Sequence, residues 1–118
     1  MVRVFSVHEY VLKRGVEADA FERAVDDAAS RGCFDLPGLI DYRFVRKLRG
    51  SRPAHYAVLW TYQSRAAWAA LWGEPGHAKS RDQFPPQWKT WEDEILAPLI
   101  DRDPRFVEYA AYQEYREG

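Results

Sequence analysis

The sequence predicts an α+β fold, in which a four-stranded antiparallel sheet carries its helices on one face. Four segments show the alternation of apolar and polar residues that is typical of strands. Between them lie segments with the apolar spacing of helices, and Pro37-Gly38 releases the chain from the first helix into the second strand. The resulting order is β-α-β-β-α-β, and its short connections favour antiparallel neighbours. We therefore expect residues 1–118 to form one domain.

The first half of the chain predicts three strands and one helix. Alternation in the first strand places His8 and Tyr10 on the same face of the sheet. Phe21 and Ala28 lie on the apolar stripe of the helix. The predicted strands cover residues 2–12, 39–48 and 54–62, and the predicted helix covers residues 17–31.

The second half predicts helices that are interrupted by turns. Ser64 is a suitable N-cap for a helix that runs to Trp72, and Gly73-Glu74-Pro75-Gly76 ends that helix. Pro98 is expected to kink or end the next helix, whose acidic run Glu92-Asp93-Glu94 we interpret as a solvated face. The remaining predicted elements are this helix over residues 87–100 and a last strand over residues 106–115.

Composition and motifs narrow the possible function classes. A formal net charge of −1 without a basic stripe argues against nucleic-acid binding. No apolar run approaches the ~20 residues of a membrane-spanning helix, so we expect a cytoplasmic protein without a membrane partner. The single Cys33 cannot form an internal disulfide, and we interpret it as structural. The sequence has no metal-binding, P-loop, Rossmann or hydrolase motif, and we predict no metal site.

The aromatic content indicates surfaces beyond an ordinary core. Aromatic residues make up 15% of the chain, including five tryptophans, and rings in such excess line apolar pockets or subunit interfaces. Apolar residues also occur on both faces of several predicted strands, while the helices cover only one face of the sheet. We therefore expect a small-molecule ligand between sheet and helices, and a homodimer in which the open sheet face packs against a second copy.

Several short segments give the chain a more specific resemblance. They are Leu12-Lys13-Arg14-Gly15 before the first helix, Phe21-Glu22 within it, Pro37-Gly38-Leu39-Ile40-Asp41-Tyr42 opening the second strand, Trp60-Thr61-Tyr62-Gln63-Ser64 closing the third, and Ala67-Trp68 in the following helix. With these segments, about residues 1–80 resemble the dimeric α/β-barrel superfamily, and within it the antibiotic-biosynthesis-monooxygenase-like (ABM-like) branch. The resemblance implies a ferredoxin-like fold and a dimeric α/β barrel.

The resemblance implies three functions, which stay open at this point. The first is a cofactor-independent monooxygenase that deprotonates an aromatic or polycyclic substrate and oxidises it with O₂. The second is a haem-binding or haem-degrading monooxygenase, although Leu71 stands at the expected tryptophan position and Ser80 or Arg81 near the expected ligand position. The third is a non-catalytic dimeric module that binds a small apolar metabolite. We expect no cofactor, with haem as the alternative.

The candidate site residues are two histidines and a group of mainly aromatic side chains. His8 stands where the haem-degrading members have an asparagine, and it either polarises a substrate oxygen, accepts a proton or is a buried structural histidine. His77 follows a Pro-Gly turn, where it acts as an acid, a base or a ligand, or has no chemical role. The predicted substrate-binding residues are Tyr10, Tyr42, Trp60, Tyr62, Trp68, Trp72, Arg81 and Trp88.

Overall fold

A computed structural model describes residues 2–116, in which helices pack on one face of a four-stranded antiparallel sheet. The elements are β1 (Val4–Tyr10), α1 (Ala18–Ser30), β2 (Leu39–Arg46), β3 (Tyr56–Tyr62), α2 (Arg65–Trp72), β4 (Gly73–Glu74), β5 (His77–Ala78), α3 (Pro86–Lys89) and β6 (Glu108–Gln113). The four long strands lie in the order β2-β3-β1-β6, each antiparallel to its neighbours. The predicted α+β class and ferredoxin-like arrangement are confirmed, with each long strand two to four residues shorter than predicted. The predicted domain also includes residues 1, 117 and 118, which lie outside the described residues.

The first two helices follow their sequence signals. Phe21 and Ala28 on the predicted stripe of α1 are fully buried, and the Phe21 ring stacks on Tyr56 of β3 with 4.4 Å between centroids. The Ser64 hydroxyl accepts the backbone N–H of Ala67 at 3.1 Å, which satisfies one of the free donors at the start of α2. The Trp72 indole at the end of α2 donates to the hydroxyl of Tyr62, which lies on the same face of β3 as Tyr56, so both helices dock on one face of the sheet.

The predicted Pro-Gly turn brings α2 close to the start of β2. Gly38 has a φ of +83°, and a Cβ added there would lie 2.5 Å from the Cβ of Ala67. Glycine fits because it adopts positive φ freely and leaves room for the neighbouring helix. The backbone N–H of Gln63 donates to the Gly38 carbonyl at 2.8 Å and fixes the turn against the end of β3.

The last helical region differs from the continuous helix that the sequence predicts. An α-helix covers only Pro86–Lys89, and the chain continues as a π-helix over Thr90–Leu96 that ends before Pro98, as the proline predicts. The backbone N–H of Ala97 donates to the Glu92 carbonyl at 3.0 Å, which is the i to i+5 bond of a π-turn. Glu92 in this segment is only 8% exposed, so the prediction of a solvated acidic face is wrong for Glu92.

A tight hairpin replaces the simple break predicted after α2. β4 pairs with β5 so that Glu74 lies opposite His77. Gly73 has a φ of +95°, and a Cβ there would clash with the His77 carbonyl oxygen, so the close return of the chain requires glycine. Within residues 2–116, no helix is long and apolar enough to cross a membrane.

Candidate functional site

A cavity of about 430 Å³ lies between the helix-covered face of the sheet, α2, the β4–β5 hairpin and α3. Its volume is typical of sites for small organic ligands. The sheet contributes His8, Tyr62 and Tyr109, and the helical segments contribute tryptophans together with Arg81 and Glu92. The predicted site residues that line the cavity are His8, Tyr62, Trp68, Trp72, Arg81 and Trp88.

Aromatic rings form a continuous wall of the cavity. The ring of Trp72 lies 5.1 Å from Phe84 and 5.2 Å from Trp88, centroid to centroid, with the planes steeply inclined. Trp88 also packs at 5.3 Å against Trp60, which is fully buried behind the wall. Inclined aromatic pairs of this kind fix one another and leave apolar surface for a ligand. The wall suits a flat, apolar molecule.

His8 lies at the sheet side of the cavity, and Trp60 determines which of its nitrogens carries a proton. The Trp60 indole Nε1 donates to His8 Nδ1 at 2.9 Å. An indole nitrogen can only donate, so Nδ1 is unprotonated. Burial lowers the pKa of His8 to about 4, and the ring is therefore neutral at neutral pH. Its single N–H proton is on Nε2, so His8 offers a hydrogen-bond donor to the cavity.

Tyr62 on β3, like His8, accepts a hydrogen bond from a tryptophan indole. The Trp72 indole Nε1 donates to the Tyr62 hydroxyl oxygen at 3.2 Å, which leaves the hydroxyl proton available to a ligand. Burial raises the pKa of Tyr62 well above its ordinary value, so the hydroxyl stays protonated at neutral pH. Two tryptophans thus turn His8 and Tyr62 into donors, and the matching ligand carries carbonyl or phenolic oxygens.

Among the charged residues of the cavity wall, which also include Glu74, Lys79 and Arg105, Arg81 and Glu92 form an ion pair. The Arg81 guanidinium donates to the Glu92 carboxylate and, through its other terminal nitrogen, to Asp93. Glu92 is only 8% exposed, whereas Asp93 is exposed to solvent. Burial raises the pKa of Glu92 and outweighs the opposing effect of Arg81. A buried cavity carboxylate with a raised pKa is a candidate acid–base group.

Four predicted site residues lie outside the cavity wall. Tyr10 and Trp60 are buried in the core beneath it, and Tyr42 lines a separate depression beside the start of β2. His77 is exposed in the hairpin, although its two neighbours in the chain line the cavity. Trp60 acts on the cavity through His8, while the direct roles predicted for the other three stay predictions.

The cavity wall also contains residues outside the predicted set, and two of them, Tyr109 and Glu92, bear on its chemistry. Tyr109 of β6 lies opposite His8 of β1, with 5.8 Å between the ring centroids. That register joins strands from the two ends of the chain, so no local pattern indicates it. Glu92 follows Trp88 by four residues, a spacing that places both on one helix face, and this spacing was the available signal.

Neither predicted site histidine fits the role of a haem ligand in this cavity. His77 does not line the cavity, and His8 uses its Nδ1 lone pair for Trp60 and carries its proton on Nε2. Iron ligation needs a free nitrogen lone pair, which neither side chain presents to the cavity. The third histidine, His55, is exposed and accepts the backbone N–H of Leu12. Among the described residues, no three His, Cys, Asp or Glu side chains are grouped to hold a metal ion.

Comparison with solved structures identifies the fold. A DABB family protein with a ferredoxin-like fold from Mesorhizobium loti superposes with a TM-score of 0.63 at 12% identity, covering 100% of both chains. A dimeric ferredoxin-like protein of unknown function from Jannaschia sp. gives 0.63 at 14% identity, covering 93% of this chain and 97% of its own. SnoaB, a cofactor-independent oxygenase from Streptomyces nogalater, gives 0.58 at 14% identity, covering 99% and 97%.

These likenesses confirm the resemblance at the level of the fold. No family model matches the chain, and no curated protein matches it in sequence. A ferredoxin-like fold hosts many unrelated functions, so the function has to be argued from the cavity.

Proposed function

We propose that this protein binds a flat aromatic ketone or phenol in the cavity and oxidises it with O₂ without a cofactor. The hydrogen bond from Trp60 to His8 carries this proposal, because it makes His8 a donor to a ligand oxygen. The aromatic wall around Trp72 and Trp88 supports a flat ligand. SnoaB, which shares the fold, is a cofactor-independent oxygenase and supports the reaction class.

The reaction needs an electron-rich substrate, because ground-state O₂ reacts slowly with neutral closed-shell molecules. In an aromatic ketone with an acidic CH₂ group, loss of one proton gives an enolate whose charge rests mainly on the ketone oxygen. Donors from His8 Nε2 and the Tyr62 hydroxyl stabilise that oxyanion more than the neutral ketone, which lowers the barrier.

The oxidation balances without a further reactant. The enolate carbon transfers electrons to O₂ and forms a hydroperoxide after the abstracted proton returns. Loss of water then leaves a second carbonyl, so one oxygen atom enters the product and the other leaves as water. The carbon loses four electrons and O₂ gains four.

Anthrone, a flat tricyclic ketone with such a CH₂ group, is the probe substrate for this proposal. We expect the protein to consume one O₂ per anthrone and to form anthraquinone, followed by absorbance and an oxygen electrode. His8→Leu removes the donor and is expected to lower kcat/KM by about 100-fold. His8→Gln provides both an acceptor for Trp60 and a donor for the ligand, so its loss is expected to stay within about tenfold.

His55→Gln is the matched control, because His55 is exposed and does not line the cavity. If His8→Gln is as slow as His8→Leu, His8 acts as a base rather than a donor. If anthrone raises the melting temperature and no product forms, the apolar wall serves a non-catalytic binding module, the second candidate function. A protein that neither binds nor oxidises anthrone contradicts the proposal.

We also propose that the protein works as a homodimer joined through the open face of the sheet. That face carries Phe5, Val45, Leu59 and Tyr112, all large apolar side chains that are exposed to solvent. A contiguous apolar surface on a folded chain favours an interface, and a two-fold axis lets one patch cover its own copy. The Jannaschia protein with this fold is dimeric, which supports the same assembly here.

A further inference from the structure

We propose that Glu92 is the catalytic base of the cavity, the group that removes the C–H proton of the substrate. This inference rests on the proposed function, because it assigns the step that starts the oxidation. Glu92 lies in the π-helical segment Thr90–Leu96 and lines the cavity. The sheet thus provides the donors and the helical layer provides the acceptor.

The two sheet residues that the tryptophans contact cannot take the proton, and the hydroxyls of Ser6 and Tyr109, the other polar sheet side chains of the wall, are weak proton acceptors. His8 Nδ1 already accepts from Trp60, and Nε2 carries the remaining hydrogen. The Tyr62 hydroxyl accepts from Trp72 and is protonated. A general base must present an available lone pair to the proton that it removes. The cavity therefore needs an acceptor from another element.

Two carboxylates line the cavity in the part of the chain that the structure describes, and their surroundings differ. Glu74 lies in the hairpin, is exposed to solvent and pairs with Arg65 at 3.0 Å. Glu92 is 8% exposed and follows Trp88 in the same helical region, and both side chains line the cavity. Removing a carboxylate from water makes it a stronger proton acceptor. Glu92 has the surroundings of a base, whereas Glu74 has those of an ordinary surface acid.

Arg81 holds the Glu92 carboxylate in place, and the pKa of Glu92 is still raised despite this contact. Its guanidinium contacts Glu92 Oε1 and also Asp93, so its charge is shared between two carboxylates. The Asp93 side chain is 56% exposed and does not line the cavity. Charged and titratable groups that face Glu92 are Arg81, Asp93 and Tyr10, with the Trp88 indole beside them. The Trp88 indole also contributes a hydrogen bond that favours the charged carboxylate, and a carboxylate has about four lone-pair sites, so these two donors do not use all of them.

The test separates proton removal from oxidation. In D₂O without O₂, the wild-type protein is expected to exchange the CH₂ hydrogens of anthrone for deuterium faster than buffer alone, as followed by NMR. Glu92→Gln keeps the side-chain shape but is expected to slow this exchange by at least about 100-fold. Asp93→Asn, the matched control, removes the other carboxylate from Arg81 and is expected to stay within about fivefold.

A rescue experiment distinguishes a missing base from a damaged fold. Glu92→Ala opens space beside Arg81, and added formate is expected to restore part of the exchange there but not in His8→Leu. Exchange by Glu92→Gln at the wild-type rate, or Glu92→Ala exchange that formate does not change, overturns the assignment and leaves the proposed oxygenase intact. A wild-type protein that binds anthrone without exchanging deuterium, or does not bind it, overturns both.

Discussion

On strand β3, Trp60 and Leu59 are neighbours in the chain that face opposite sides of the sheet. Trp60 lies under the helices and is fully buried, whereas Leu59 is 43% exposed. The same contrast holds on β1, where Val4 is 3% exposed and Phe5 is 37% exposed. The pleat of a strand sends successive side chains to opposite faces, so each strand serves two surfaces at once.

The two surfaces differ in the surroundings of their polar groups. On the covered face, Trp60 and Trp72 hold the hydrogen bonds of His8 and Tyr62, so apolar rings determine where protons lie. On the open face, charged side chains such as Arg43 remain in solvent. Buried rings with fixed polar partners suit the proposed reaction site, while exposed apolar side chains suit the proposed dimer interface.

The largest expected effect is on stability, and it differs between substitutions on the two faces of the sheet. Trp60→Ala removes a fully buried indole and the partner of His8, so we expect the free energy of unfolding to fall by about 3–5 kcal/mol. Leu59→Ala removes a half-exposed side chain and is expected to cost about 1 kcal/mol or less in the monomer. Urea denaturation over a range of protein concentrations measures the unfolding free energies of both variants. Equal losses in dilute protein would show that the open face is covered within one chain.

A second prediction uses the response of the covered face to acid. His8 has a pKa of about 4 when folded and about 6.5 when unfolded, so the unfolded chain takes up its proton first as the pH falls. The contribution of His8 to the free energy of unfolding is therefore full above pH 6.5 and falls by up to about 3 kcal/mol between pH 6.5 and pH 4.

The His8→Gln variant isolates this contribution, because carboxylates titrate alike in both proteins. We expect the unfolding free energy of His8→Gln to fall less steeply than that of the wild type over this range, measured by urea denaturation at each pH. Equal slopes, or an NMR titration of His8 near pH 6.5, would contradict a neutral ring held by Trp60.

The strands and the first two helices could be predicted because local sequence patterns indicate which side chains are buried and where each element begins or ends. Alternation fixes the faces of β1, and Ser64 and Pro37-Gly38 are local signals for a cap and a turn. The π-helix over Thr90–Leu96 could not be predicted in this way. Its apolar spacing also fits an ordinary α-helix, and packing against the core decides the extra residue in the turn.

The site could be predicted only in part, because its chemistry depends on contacts between distant segments. Alternation placed His8 on the covered face, and aromatic content indicated a pocket. The bond from Trp60 to His8 depends on how β1 and β3 pair, and the sequence does not give that register. The acidic run Glu92-Asp93-Glu94 favours a solvated face, yet Glu92 is buried and lines the cavity with Trp88, four residues before it.

The smallest expected effect tests the open face as an interface. Phe5→Glu places a charge on the open face opposite the uncharged Thr61 and Tyr112, where burial against a second copy would leave it unpaired. We expect the dimer dissociation constant to rise by about 100-fold, or about 2.7 kcal/mol, while circular dichroism still reports a folded chain. Ala29→Glu adds the same charge to the exposed face of α1 and is expected to change nothing. Sedimentation velocity at several concentrations measures both, and a wild-type protein that stays monomeric at all of them would leave the apolar face without its proposed partner.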